Sequence, residues 1–133
     1  MNQPGILLID DNDSFRAPVR MALEQAGYAV TEASQGKQAL ALYPPASHAV
    51  VIADLIMPEL DGIELIIQLR KRNQAVKIIA ITAGTRNSPY AELAAAKALG
   101  ACRIFPKPFP VAKLIATIQE LLLPPAAAGE QAV

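Results

Sequence analysis

His48-Ala49-Val50-Val51-Ile52-Ala53-Asp54-Leu55-Ile56-Met57-Pro58 decides the fold. Its apolar run, residues 49–53, stops abruptly at the Asp54 carboxylate. Val50, Val51 and Ile52 are β-branched, and the run is too short for a helix that stands alone. It reads as a strand buried on both faces, as in a parallel sheet. Asp54 then marks the carboxyl end of that strand, where open α/β sheets place their ligands. An Asp there also has a plainer use as a helix cap or turn residue. Its neighbours decide between the two.

Upstream, residues 6–9 form a second short apolar run, ending in Asp10-Asp11-Asn12-Asp13. Phe15, Val19, Ala22, Leu23 and Ala26 follow at helical spacing, and Gly27 closes that helix. Pro18 requires the helix to start near Ser14, so that the proline falls in the first turn. Residues 28–32 suit a strand, and residues 36–43 a short helix stopped by Pro44-Pro45. Downstream of the decisive stretch, residues 58–62 read as a loop and 63–72 as a helix. Glu64, Gln68, Lys71 and Arg72 give that helix a solvated face. Residues 76–81 form another buried strand, ending at Thr82. Residues 89–99 form an alanine-rich helix closed by Gly100. Residues 102–105 form a last strand before Pro106-Lys107-Pro108. Val111, Leu114, Ile115, Ile118, Leu121 and Leu122 stripe a closing helix, and residues 124–133 form a Pro/Ala tail expected to be disordered.

Strand and helix alternate five times, which predicts an α/β fold: a doubly wound parallel sheet with helices on both faces. Right-handed crossovers leave few topologies, and the flavodoxin-like (βα)5 order 2-1-3-4-5 fits five units best. That order makes strands 1 and 3 neighbours at the switch point, so Asp10, Asp11 and Asp54 meet at one edge of the sheet. Thr82 and Lys107 end strands 4 and 5 on the same rim.

Composition narrows the function classes. The chain has 133 residues, about one domain, and its 53% hydrophobic content excludes general disorder. Twelve basic residues balance twelve acidic ones, so bulk charge argues for neither nucleic acid nor membrane. The single Cys102 excludes an internal disulfide, fits a reducing cytoplasm and reads as a small core or strand residue. No stretch approaches the ~20 apolar residues of a membrane span. The expectation is a cytoplasmic protein.

Three carboxylates this close repel one another and need a counter-cation. An all-oxygen ligand set with room for water suits Mg²⁺, and the lone imidazole, His48, lies at the wrong end of its strand. A hydroxyl at Thr82 and an ammonium at Lys107 are what a phosphoryl group requires for hydrogen bonding and charge neutralisation. A carboxylate such as Asp54 can itself be the nucleophile, giving an acyl phosphate.

Asp10-Asp11, Asp54 with Met57-Pro58 and Asp61-Gly62, Thr82-Ala83, and Lys107-Pro108-Phe109 together resemble the receiver domain of bacterial two-component response regulators. The resemblance spans residues 5–123, which are expected to be the domain. It implies that Asp54 is the phosphoacceptor, taking its group from a histidine kinase or histidine phosphotransfer protein. It implies that Asp11, Asp54 and the backbone carbonyl of Ile56 hold Mg²⁺, with Asp10 acting through metal-bound water. Thr82 would bond the phosphoryl oxygen and Lys107 pair with it. The chain would signal by conformational change to a downstream protein target, without direct DNA binding or membrane contact, and would not be an enzyme.

Two positions depart from or qualify that pattern. The family usually carries Tyr or Phe three residues before the lysine; here that residue is Ile104, with Phe105 directed to the opposite face of the strand. The readout is therefore expected to use the alanine-rich helix and its loop, residues 84–99. Ile56, two residues after Asp54, is placed to obstruct attacking water and so to lengthen the life of an acyl phosphate. About ten tail residues follow the closing helix, which fits a stand-alone receiver or a receiver cut from a longer chain. Two other classes compete. One is a pseudo-receiver that only binds. The other is a haloacid-dehalogenase-type phosphatase using Asp11-Asn12-Asp13, which would leave Asp54 unexplained.

Overall fold

The computed structural model describes residues 4–42, 49–55, 62–82, 97, 100–107 and 109–122. Its elements are β1 (Gly5–Ile9), α1 (Asp13–Gln25), β2 (Ala29–Ala33), α2 (Gly36–Leu42), β3 (Val50–Asp54), α3 (Gly62–Arg72), β4 (Lys77–Thr82), β5 (Arg103–Pro106) and α4 (Val111–Leu121). The five strands form one parallel sheet in the order β2-β1-β3-β4-β5. This is the expected flavodoxin-like topology. Of the alanine-rich helix expected at residues 89–99 only Lys97 is described, as helical. Residues 58–61 of the expected loop 58–62 and the tail lie outside the described residues, and Gly62 already belongs to α3.

The apolar runs form strands because each has two faces to bury. Every residue of β3 is buried, and so are Ile6 to Ile9 of β1. Alternate side chains enter different cores. Leu7, Ile9, Val51, Ala53, Ile78 and Ala80 pack on one side with Ala39 of α2 and Leu65, Ile66 and Leu69 of α3. Ile6, Leu8, Val50, Ile52, Ile79 and Ile81 pack on the other with Val19 and Leu23 of α1 and Leu114 and Ile118 of α4. Ile104 and Phe105 follow the same alternation, the isoleucine against the α2/α3 core and the phenylalanine against the α1/α4 core. Both layers thus clamp the sheet, and its carboxyl edge is a rigid platform.

Boundaries moved by a residue or two, with one consequence. Asn12 caps α1 by accepting from the Phe15 backbone N–H, so the helix starts at Asp13. Pro18 therefore lies beyond the first turn and removes one internal hydrogen bond. It sits on the exposed side, and the buried Val19 and Leu23 hold the helix across the break. Cys102 is a half-buried free thiol leading into β5, and its backbone N–H donates to Ile78 at 2.7 Å.

Gly27 ends α1 at φ 102, in the left-handed region, and an added Cβ would meet nothing within 4 Å. The cost of a side chain there is purely a backbone cost. Gly27→Ala is expected to lower unfolding free energy by about 1–2 kcal/mol in urea titration with an unchanged m-value. Gly27→Asn should lose less, because Asn tolerates this conformation better.

Candidate functional site

Four strand ends deliver the polar groups that the sequence singled out. Asp10 follows β1 and is fully buried; Asp54 ends β3 at 5% exposure; Thr82 ends β4 and is fully buried. Parallel pairing fixes their levels. Ile9 is aligned with Ala53, and Asp54 with Ile81, so the two aspartates leave neighbouring strands at the same height. Asp10 is held there by its own backbone N–H, which donates to Ala33 at 3.0 Å. The Lys107 backbone N–H donates to the Thr82 carbonyl at 2.8 Å, which extends the β4–β5 ladder into the site.

The carboxylate oxygens of Asp10, Asp11 and Asp54 come within 4.8 Å of one another, and Asp11 is the exposed corner. Lys107 closes the other side. Its Nζ donates to Asp10 Oδ2 at 2.8 Å and to Asp54 Oδ2 at 3.3 Å. The same ammonium lies 4.1 Å from the centre of the Phe15 ring, a cation–π contact that a half-buried charge can use. Burial works against the lysine charge. The hydrogen bond to Asp10 and the fields of Asp54 and Asp10 outweigh it, and the pKa rises above the ordinary 10.5.

Asp10, Asp11, Asp54, Thr82 and Lys107 thus share one rim, as expected. Ile56 lies outside the described residues, as do Met57, Pro58, Asp61, Ala83 and Pro108. Asp13 is not in the carboxylate group; its side chain is 84% exposed and pairs with Arg16. A nucleophile and acid paired as Asp11 and Asp13 find no support in that arrangement.

The sequence reading missed three contributors. Phe15 was counted as a stripe residue, yet its ring underlies Lys107 and meets Phe109 edge-on at 5.8 Å between centroids. Arg16, itself 14% exposed, donates to the Asp10 carbonyl, to Asp13 and, at 2.8 Å, to Glu32 Oε1. Glu32 on β2 also accepts from Arg20, and this bond, opposed by burial and helped by Arg16, holds its carboxyl below the usual carboxylate range. A signal was present. Arg16 and Arg20 are four residues apart, so they share a helix face, and Glu32 is an acid within an otherwise mostly apolar strand.

A cleft of about 360 Å³ lies over β5 and the start of α4, lined by Ile104, Phe105, Phe109, Lys113 and Thr117 among others. Its lining is apolar apart from Lys113 and Thr117, and among the described residues it includes no acid.

Known proteins share this arrangement's sequence and fold. The model of the response regulator receiver domain matches residues 6–119. The sensor kinase CckA of Brucella abortus is 38% identical over 122 residues, covering 88% of this chain and 12% of the kinase. The response regulator MprA of Mycolicibacterium vanbaalenii is 37% identical over 130 residues, covering 96% of this chain and 55% of the regulator. The chain therefore spans about half or less of these curated relatives. Chemotaxis protein CheY4 of Vibrio cholerae superposes with a TM-score of 0.79 at 34% identity, covering 91% of this chain and 100% of that one. Among the described residues no helix is long and apolar enough to cross a membrane.

Lys107 is the partner that makes two adjacent carboxylates tolerable, so its removal exposes their repulsion. Lys107→Met is expected to lose about 2–3 kcal/mol of unfolding free energy at pH 7 in metal-free buffer. Because the folded-state pKa is raised, the lysine's contribution is complete below pH 10.5 and fades as the pH climbs through the higher value. The gap between wild type and variant, followed by urea unfolding from pH 7 upward, should narrow in that alkaline range.

Proposed function

Because the chain belongs to the response regulator receiver domain family, we propose that it is a phosphoacceptor whose Asp54 takes a phosphoryl group from a histidine kinase or histidine phosphotransfer protein. The observation that carries this reading is the joint position of Asp54, Asp10, Asp11 and Lys107 at one sheet edge, with Asp11 exposed and the other carboxylates buried. Receivers as a family are signalling domains of two-component systems, and this chain is read as one, acting in the cytoplasm on a downstream protein target.

The chemistry follows from the groups present. A carboxylate oxygen of Asp54 attacks the phosphorus of a phosphohistidine protonated on its other ring nitrogen; the P–N bond breaks, its electron pair stays on the ring, neutral imidazole leaves, and an acyl phosphate remains. The donor set, all carboxylate oxygen with one corner open to water, fits Mg²⁺. Asp11 and Asp54 would hold the ion, with the Ile56 carbonyl as a further ligand by analogy with the family, and Asp10 would stand behind them. When bound, the ion neutralises charge on the transferring phosphoryl oxygens. Lys107, already between Asp10 and Asp54, is within a small side-chain movement of a group on Asp54. Thr82 would supply the hydrogen bond from the β4 side.

The surrounding burial supports the same role. Leu55 is 3% exposed and Ala53 is fully buried, and Asp11 is the exposed member of the carboxylate group beside Asp54. We read residues 5–123 as the domain, with residues 124–133 as tail or linker.

Intact mass after incubation with acetyl phosphate and Mg²⁺ tests this. One added phosphoryl group is expected on the wild type and none on Asp54→Asn. A wild type that stays unmodified would overturn the reading and favour a module that works by binding alone.

A further inference from the structure

We infer that Arg16 is a positioning residue for the acidic site, fixing the loop that carries Asp11 so that its carboxylate is held toward Asp54. The inference rests on the reading of that site as a Mg²⁺ and phosphoryl site, and it adds a residue which the motif set does not include.

Asp11 is the exposed member of the carboxylate group among the described residues. What orients it is the backbone on either side. The peptide unit joining Asp10 to Asp11 is planar, so whatever fixes the Asp10 carbonyl also fixes the direction in which Asp11 leaves. Arg16 donates to that carbonyl. A second guanidinium nitrogen pairs with Asp13, two residues beyond Asp11. The Arg16 Nε–H donates at 2.8 Å to Glu32 Oε1 on the edge strand β2. Asp11 is therefore bracketed by one side chain whose far anchor stands on the sheet.

The rest of the loop does not substitute for this brace. Asn12 donates its backbone N–H to Asp10 Oδ1 at 2.9 Å and caps α1, which secures Asp10 and the helix start. The first of these closes an Asx turn around Asp11 and so shares in setting the loop, but neither has the Asp10 carbonyl oxygen as its acceptor. Three acceptors in different directions need a planar fork with several fixed N–H groups. Arginine offers five, whereas a lysine ammonium is a point donor on a flexible stem.

Charge and position act in opposite directions here, which makes the role measurable. A cation beside a Mg²⁺ site opposes the ion, so deleting the Arg16 charge would by Coulomb's law alone tighten binding. Loss of positioning would weaken it. Partners that orient metal ligands are commonly worth roughly 10- to 100-fold in metal affinity.

The test is titration of the full chain with Mg²⁺, followed by backbone amide shifts in NMR, for wild type, Arg16→Met, Arg16→Lys and Glu32→Gln. Arg103→Gln, in an exposed pair with Glu120 far from the site, is the control and should match wild type. Both Arg16 variants are expected to bind Mg²⁺ roughly 10-fold or more weakly, the lysine failing to rescue although it keeps the charge. Glu32→Gln should weaken binding by less. If Arg16→Met does not fold, Arg16→Lys and Glu32→Gln carry the test. Arg16 variants that bind as wild type does, or a lysine that restores affinity fully, would overturn the positioning role and leave the site reading intact. A wild type showing no saturable Mg²⁺ response would overturn the site reading and this inference together.

Discussion

Two carboxylates buried side by side, Asp10 fully and Asp54 at 5% exposure, are held at the centre of the sheet's edge by the ammonium of Lys107. Without a cation between them, the repulsion of the two carboxylates in this low-dielectric rim would go uncompensated. The lysine is 97 residues from Asp10 in sequence, on the far side of β3 and β4. The contact exists only when β5 is docked at the edge of the sheet and α4 is packed beneath it. The polar site therefore depends on the whole topology being complete, and the topology gains part of its specificity from having to complete the site.

This dependence explains why the scaffold is so apolar and so regular. Both faces of β1, β3 and β4 are sealed, by α2 and α3 on one side and α1 and α4 on the other. A parallel sheet buried in this way cannot slip register without moving every side chain to the wrong core. The alignment of Ile9 with Ala53 and of Asp54 with Ile81 is thus fixed by hydrocarbon packing. Carboxylate spacing follows from that alignment. Charge density at the rim is borrowed from the rigidity of the layer below.

The same division explains what was legible in the sequence. Apolar runs that end on Asp10, Asp54 and Thr82 announce themselves, because a buried strand is continuous and a polar residue at its end is an interruption. Strand order followed from the alternation of elements, and with it the meeting of Asp10, Asp11 and Asp54. Arg16 and Glu32 were not legible as site residues, because an arginine on an amphipathic helix is ordinary until its acceptors are known. Phe15 fitted its helical stripe so well that a second role, beneath Lys107, left no extra trace. Pro18 was expected in the first turn and lies beyond it, tolerated because the Asn12 cap and the buried Val19 and Leu23 outweigh one lost hydrogen bond.

Position 104 gains meaning from the same geometry. The aromatic side chains near Lys107 lie on the α1/α4 face. Phe15 touches the ammonium, Phe109 meets Phe15 edge-on, and Phe105 meets Phe109 edge-on at 5.1 Å between centroids. Ile104 lies on the opposite face, half-buried against the α2/α3 core. It is β-branched, with few χ1 states and no polar edge that could exchange partners between buried and solvated positions. A ring at this position could swing between pocket and solvent; an isoleucine in contact with a close-packed core exchanges little by turning. The aromatic contacts of this edge are therefore tied to the lysine itself, through a cation–π contact and two edge-on ring contacts. The Lys107 ammonium thus touches Asp10 and Asp54 through hydrogen bonds and the α1/α4 side of the sheet through Phe15.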